Sequence, residues 1–152
     1  MGKTLKYGNL KEAEDFSTND LYEFISSQEH YFEPNLSYKV NLRDYAEKLS
    51  NLATVNICFY ESKIVGVCAF YCTPDIYDYG FLSFLSVEST YRNRGIAKKM
   101  VQDMIEHCRH FGMKTLKSST WKSSKAMRMY MNLGFKATYS LKDESVLLDL
   151  EL

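Results

Sequence analysis

Apolar and polar residues follow a helical rhythm early in the chain. Leu21, Phe24 and Ile25 recur at helical spacing behind Thr18-Asn19-Asp20, residues of the kind that cap helix N-termini. The segment Glu29-His30-Tyr31-Phe32-Glu33-Pro34-Asn35 breaks that rhythm. It resumes over 42–52, where Leu42, Tyr45, Ala46, Leu49 and Leu52 share one face. The pattern then changes. Two β-rich runs, 55–60 and 64–71, flank the polar turn Glu61-Ser62-Lys63 and predict a hairpin. After a linker, the run Gly80 to Val87 is apolar on both faces and predicts a third strand. The strongest helix opens at Gly95. Ala97, Met100, Val101, Met104, Ile105, Cys108 and Phe111 hold a helical spacing as far as Gly112, a residue suited to end a helix. A short strand over 115–119 follows, then a helix capped by Ser123-Ser124 and stopped at Gly134, then strands over 135–140 and 145–150. Helices, three strands, helix, strand, helix and two strands make a mixed α/β sandwich, not a strict βαβ repeat.

Composition narrows the class. A chain of 152 residues fits one domain, 1–152. Hydrophobic residues at 45% and charged residues at 25% exclude a disordered tail. Lys+Arg and Asp+Glu are 19 each, so there is no overall pull on a polyanion, and a nucleic-acid partner is not expected. Cys58, Cys68, Cys72 and Cys108 form no CxxC pair, and three of them sit in apolar runs; they are expected as buried free thiols in a reducing compartment. His30, His107 and His110 add no metal-ligand spacing, so no metal site is expected. No apolar run approaches the ~20 residues of a membrane helix, and the N-terminus has no secretory core. The expectation is a soluble cytoplasmic protein with no membrane partner, monomeric or a homodimer.

The chemistry concentrates in Val87-Glu88-Ser89-Thr90-Tyr91-Arg92-Asn93-Arg94-Gly95-Ile96-Ala97-Lys98-Lys99. Here a strand runs into a short loop that delivers a glycine to a helix start. The first-turn N–H groups of a helix have no intrahelical partner and carry the positive end of its dipole. Gly95 lets a ligand approach the backbone without a Cβ in the way. This is an anion cradle suited to a pyrophosphate. The plainer reading is a capped helix with a solvated basic first turn. Cations at a helix N-terminus oppose the dipole, however, and a bound anion would relieve that cost.

Val-x-Ser-x-x-Arg-x-x-Gly-x-Ala over 87–97 resembles the acetyl-CoA signature of the GNAT superfamily of N-acetyltransferases. A second stretch, Ser123-x-x-Ala126-x-x-x-Tyr130-x-x-x-Gly134-Phe135, resembles a further signature of that family, at the expected distance. Ser89 stands where the family usually has Pro, Ala97 where it often has a second Gly, and Ser123 where it has Asn. The resemblance covers nearly the whole chain. It implies a single-domain α/β (α+β) fold with a mixed, mostly antiparallel sheet flanked by helices.

It also implies an activity: transfer of acetyl from acetyl-CoA to a primary amine of a small molecule, such as an amino sugar, amino acid or polyamine. Backbone groups of Leu85, Ser86 and Val87 would hold the pantetheine arm, and one N–H among them would polarise the thioester carbonyl. Arg92, Asn93, Arg94, Gly95, Ile96, Ala97 and Lys98 would wrap the pyrophosphate. Ser123 reads either as a further cofactor contact or as an N-cap. Tyr130 would protonate the departing thiolate. No acid lies on the strands where the family often keeps its base; Asp78 and Glu88 flank the first of them, and Glu88, acting through water, is the candidate, with Glu29 and His30 as others and an amine that arrives already neutral as the alternative. Glu29, His30, Tyr31 and Phe32 fall in the loop that lines the acceptor pocket in this family. Two other readings stay open: an enzyme acting on protein N-termini or lysines, and a non-catalytic acyl-CoA-binding domain.

Overall fold

The structure is a computed structural model and describes residues 4–32, 34–121, 125–140 and 145–152. In chain order the elements are β1 (Lys6–Asn9), α1 (Thr18–Gln28), α2 (Leu42–Leu52), β2 (Thr54–Tyr60), β3 (Lys63–Tyr71), β4 (Tyr79–Val87), α3 (Ile96–His110), β5 (Thr115–Trp121), α4 (Lys125–Asn132), β6 (Lys136–Ser140) and β7 (Ser145–Glu151). Short 3-10 turns occupy Glu29–Tyr31, Leu36–Tyr38 and Ser89–Tyr91.

Local chemistry explains most of the boundaries. The cap of α1 is Ser17, one residue before the expected trio: its hydroxyl accepts from Asp20 N, and the Asp20 carboxylate accepts from Ser17 N at 2.7 Å. A reciprocal cap of this kind contributes about 1 kcal/mol. Asn41 caps α2 by accepting from Asp44 N at 3.0 Å. The helix has the expected bounds, but Leu52 is 64% exposed and lies off the buried face. Gly112 ends α3 in a left-handed conformation, φ +80°. Ser123 and Ser124 lie outside the described residues. β1 has no counterpart in the sequence expectations: four residues pair with β2 at the sheet edge, with no apolar alternation to announce them.

All seven strands form one sheet in the order β1-β2-β3-β4-β5-β7-β6. Only β4 and β5 run parallel, joined through α3; the other neighbours are antiparallel. Helices α3 and α4 cover one face, where Met100, Met104, Tyr130 and Phe135 pack with Leu82 and Leu116. Helices α1 and α2 cover the other, where Leu21, Ile25, Ala46 and Leu49 pack with Ile57 and Phe84. This is the mixed, mostly antiparallel α/β fold expected.

Two irregularities in β4 shape the site. Phe70 of β3 pairs with Leu82 but its neighbour Ala69 pairs with Phe84, so Ser83 is an extra residue, a β-bulge. Leu82 and Phe84 would share a face in a regular strand. Here Leu82 faces α3 and Phe84 faces α1 and α2. Pairing between β4 and β5 also stops early: it covers Tyr79, Gly80 and Phe81, opposite Thr115, Leu116 and Lys117, and goes no further. Beyond Phe81 the sheet splits.

Candidate active site

The split exposes one edge of β4 over its last residues. The Glu88 N–H donates to the Val65 carbonyl at 2.8 Å, so residue 88 bonds toward β3. Main-chain groups alternate in direction along an antiparallel strand. Ser86 therefore also bonds toward β3, while Leu85 and Val87 turn theirs into the split, where β5 no longer offers a partner. The Val87 carbonyl accepts from Arg92 Nε at 2.9 Å, as that orientation requires. Among the described residues, Leu85 turns its N–H and C=O and Val87 its N–H to this edge, while Ser86 Oγ donates to Gln28.

The cradle lies just past the strand. Asn93 (φ +63°) and Gly95 (φ +80°) are both left-handed, two residues apart. Alternation of hand in successive residues turns N–H groups to one concave side, an anion-binding arrangement. The first intrahelical bond of α3 is Lys99 N to Gly95 O at 3.0 Å, which leaves the N–H groups of Ile96, Ala97 and Lys98 open. A Cβ built on Gly95 would meet nothing within 4 Å. Glycine is therefore needed here for its backbone angle and for the clearance above it, not for packing, and the cradle fits a phosphate-bearing ligand.

The loop's cations divide. Lys98 is exposed beside the open N–H groups. Arg94 lies 5.0 Å from the centre of the Tyr91 ring and donates to the Thr90 carbonyl at 3.3 Å. A cleft of about 410 Å³ there is lined by Leu5, Tyr60, Thr90, Tyr91 and Arg94. Lys99 turns away to Asp103 at 2.8 Å. Arg92 has partners outside the cradle: besides the Val87 carbonyl it reaches Gln28 Oε1 at 3.5 Å and stacks 4.2 Å over the Tyr31 ring.

Tyr130 stands at the apex of the split. It is 6% exposed and packs edge-on against Phe135, ring centres 5.4 Å apart. It lies beside Ser118, whose hydroxyl donates to the Leu82 carbonyl at 3.2 Å, one residue past the last β4–β5 pair. Burial pushes the Tyr130 pKa far up, the Ser118 hydrogen bond pulls it partly back, and Cys68 raises it further. Burial thus keeps the phenol protonated near neutrality. Glu88 lies past the end of β4. Its Oε1 pairs with Lys63 Nζ at 2.7 Å, while Oε2 is buried with no partner among the described residues.

On the α1 side, the residues after the helix fold over β4. Phe32 stacks on Phe84 at 5.3 Å, the His30 and Tyr31 rings are 4.0 Å apart, and Glu29 Oε1 accepts from Ser37 Oγ at 2.8 Å. Of these four residues Phe32 packs on β4, Tyr31 lies under Arg92 of the following loop, and Glu29 is tied to Ser37. Tyr45 and Gln28 were not singled out as site residues by sequence, yet both touch β4: Tyr45 bonds the bulge at Ser83, and Gln28 accepts from Ser86 Oγ at 2.7 Å. Gln28 had a detectable signal, a polar residue at the apolar position four after Phe24 and seven after Leu21.

Comparison with known proteins gives the family and the fold. The chain is 39% identical over 61 residues to N-alpha-acetyltransferase 30 of Saccharomyces cerevisiae, a match spanning 37% of this chain and 32% of that protein. The chain thus aligns with only about a third of that relative's length. A putative GNAT-family acetyltransferase from Desulfovibrio desulfuricans superposes with a TM-score of 0.77 at 16% identity, over 97% of this chain and 99% of that one. PaiA N-acetyltransferase from Thermoplasma acidophilum, solved with coenzyme A, superposes at 0.74 and 14% identity, over 98% and 99%. At such identities the likeness is one of fold. Residues 18–135 match the family described as Acetyltransferase (GNAT), and the chain belongs to that family.

Proposed function

We propose that the protein, with 1–152 as one catalytic domain, transfers the acetyl group of acetyl-CoA to a primary amine of a small molecule by direct attack within a ternary complex. The observation that supports this most is the split between β4 and β5, with the main chain of Leu85 on its open edge, the cradle at one end and a buried phenol at its apex. Acetyl-CoA is the co-substrate. Its pyrophosphate meets the N–H groups over 95–98, with Lys98 and Arg94 supplying charge, and its pantetheine arm lies along Leu85 and Val87 as an added strand.

Leu85 N–H donates to the thioester oxygen as negative charge gathers there, a role in which one well-placed donor is worth several kcal/mol. The amine nitrogen bonds to the carbonyl carbon, the C–S bond breaks, and the amine loses a proton. Tyr130 donates to the sulfur as it leaves. Because burial makes this phenol a weaker acid than free tyrosine, its hydrogen bond carries much of that role. Glu88, whose Oε2 has no partner among the described residues, would take the amine's proton by way of water. Glu29, His30, Tyr31 and Phe32 line the amine's approach. A second reading, with the α-amino group of a peptide as acceptor, is favoured by the relative named N-alpha-acetyltransferase 30.

One assay separates the readings. CoA release is measured with acetyl-CoA and a panel of polyamines, amino sugars, amino acids and peptides with free N-termini. Turnover with the small amines is expected. Turnover with peptides alone transfers the proposal to the second reading, and CoA binding without turnover on any amine leaves an acyl-CoA-binding domain.

A further inference from the structure

Gln28 is the last residue of α1, is 3% exposed, and belongs to neither the cradle nor the stretch 29–32. Its side chain nevertheless joins three elements. Oε1 accepts from Ser86 Oγ of β4 at 2.7 Å and from Arg92 Nη2 of the cradle loop at 3.5 Å. Nε2 donates to Ser27 Oγ at 3.4 Å. Arg92 offers only donors, so the amide is oriented with its oxygen toward the loop. The same guanidinium holds the Val87 carbonyl through Nε and rests on the Tyr31 ring.

We propose that Gln28 is a positioning residue for acetyl transfer, whose amide oxygen fixes Arg92 and thereby the loop that presents Gly95 and the open N–H groups of α3. The proposal rests on the reading of that loop as the donor site. The argument is one of direction. In the bound arrangement the cradle must hold its N–H groups on one side, and the loop from Glu88 to Gly95 has few internal bonds to keep them there: the Ser89–Tyr91 turn, Tyr91 N to Glu88 O, and the Arg94 contact to Thr90. Arg92 ties the loop's middle to β4, and Gln28 ties Arg92 to α1. Because Glu29 to Tyr31 follow Gln28 directly, the same atom sets that stretch in register with the donor cradle. Arg92 acts through this lattice and not on the phosphates.

The test compares Gln28→Met, which keeps volume and removes the acceptor, with Gln28→Glu, which keeps the acceptor and adds charge. A role in packing alone predicts that the Met variant behaves as wild type and that the buried charge of the Glu variant is harmful. The positioning role predicts the reverse. Gln28→Met is expected to raise the acetyl-CoA KM and the calorimetric Kd for CoA by about tenfold, with kcat at saturation within about threefold. Gln28→Glu is expected to hold both within about twofold, since a carboxylate accepts from Ser86 and Arg92 alike. Adding Arg92→Met to Gln28→Met is expected to cost little more than either change alone. Wild-type affinity in Gln28→Met, or equal losses in Met and Glu variants, overturns the proposal. If Gln28→Met does not fold, Ser86→Ala replaces it, with a smaller rise in Kd expected and an unchanged Kd counting against the proposal. Wild-type protein that binds no CoA overturns the donor-site reading itself.

Discussion

The Tyr45 hydroxyl lies 2.6 Å from Ser83 Oγ and 3.2 Å from the Ser83 carbonyl oxygen, so a helix residue holds the one residue by which β4 exceeds β3. The bulge turns β4 at the point where it parts from β5, and Tyr45 keeps it turned.

Tyr45→Phe is therefore expected to lower both stability and turnover. Two part-buried hydrogen bonds are lost, a cost of about 2 kcal/mol. For a chain of this size that is a fall in Tm of about 4–8 °C by calorimetry. Burial raises the Tyr45 pKa from 10.0 to about 12, against the opposing bond from Ser83. A raised folded-state value favours the protonated form, so its stabilisation is complete below pH 10 and is lost as pH climbs toward 12. Melting curves across that window should fall less steeply for the Phe variant than for wild type.

On the proposed mechanism Tyr130→Phe removes the proton donor, together with its contact to Ser118. Saturating turnover is expected to fall by about 10²-fold, the lower end for proton donation because burial weakens this acid. CoA affinity should stay within about twofold by calorimetry. Unchanged turnover would remove Tyr130 from the mechanism.

Gly95→Ala forces a Cβ into a left-handed residue, at a cost of about 1–2 kcal/mol. On the proposed placement of the phosphates the new methyl stands in their path, so Kd for CoA should rise by more than about tenfold while the melting temperature moves by only a few degrees. Equal CoA binding in the two proteins would place the cradle elsewhere.

His107 packs between Phe70, with ring centres 5.2 Å apart, and Phe111, at 4.9 Å. Burial, helped by the neighbouring His110, lowers its pKa from 6.5. A depressed value favours neutral imidazole in the folded state. Its stabilisation is thus present above pH 6.5 and lost as pH falls below it. His107→Phe should flatten that acid limb in denaturant titrations, and an unchanged slope would assign the limb to other groups.

Sequence made the periodic parts of this fold legible. Helix α2 is legible through the spacing of Leu42, Tyr45, Ala46 and Leu49, although Leu52 at its end falls off that face, and β2 and β3 announce themselves through β-branched and aromatic runs around a polar turn. Gly95 was legible because a left-handed cap selects glycine. What escaped depends on partners far apart in the chain. The Ser83 bulge exists only in the register of β4 against β3. Tyr45 reads as one more apolar face residue until Ser83, 38 positions on, is set beside it. Arg92 reads as a phosphate ligand from its motif, but Gln28, 64 positions away, shares its guanidinium. β1 has too few residues to show a period.

The split has a bearing on how this chain survives in a crowded solution. A strand edge left open inside a sheet is a template for a stray extended peptide, the same hazard that outer edges pose. Here the hazard lies at the main chain of Leu85, and neither a proline nor a charged residue interrupts β4. Acetyl-CoA laid along that edge would act as a plug as well as a reactant. Donor supply would then govern the chain's solubility together with its turnover, and starvation for acetyl-CoA would leave it most prone to self-association.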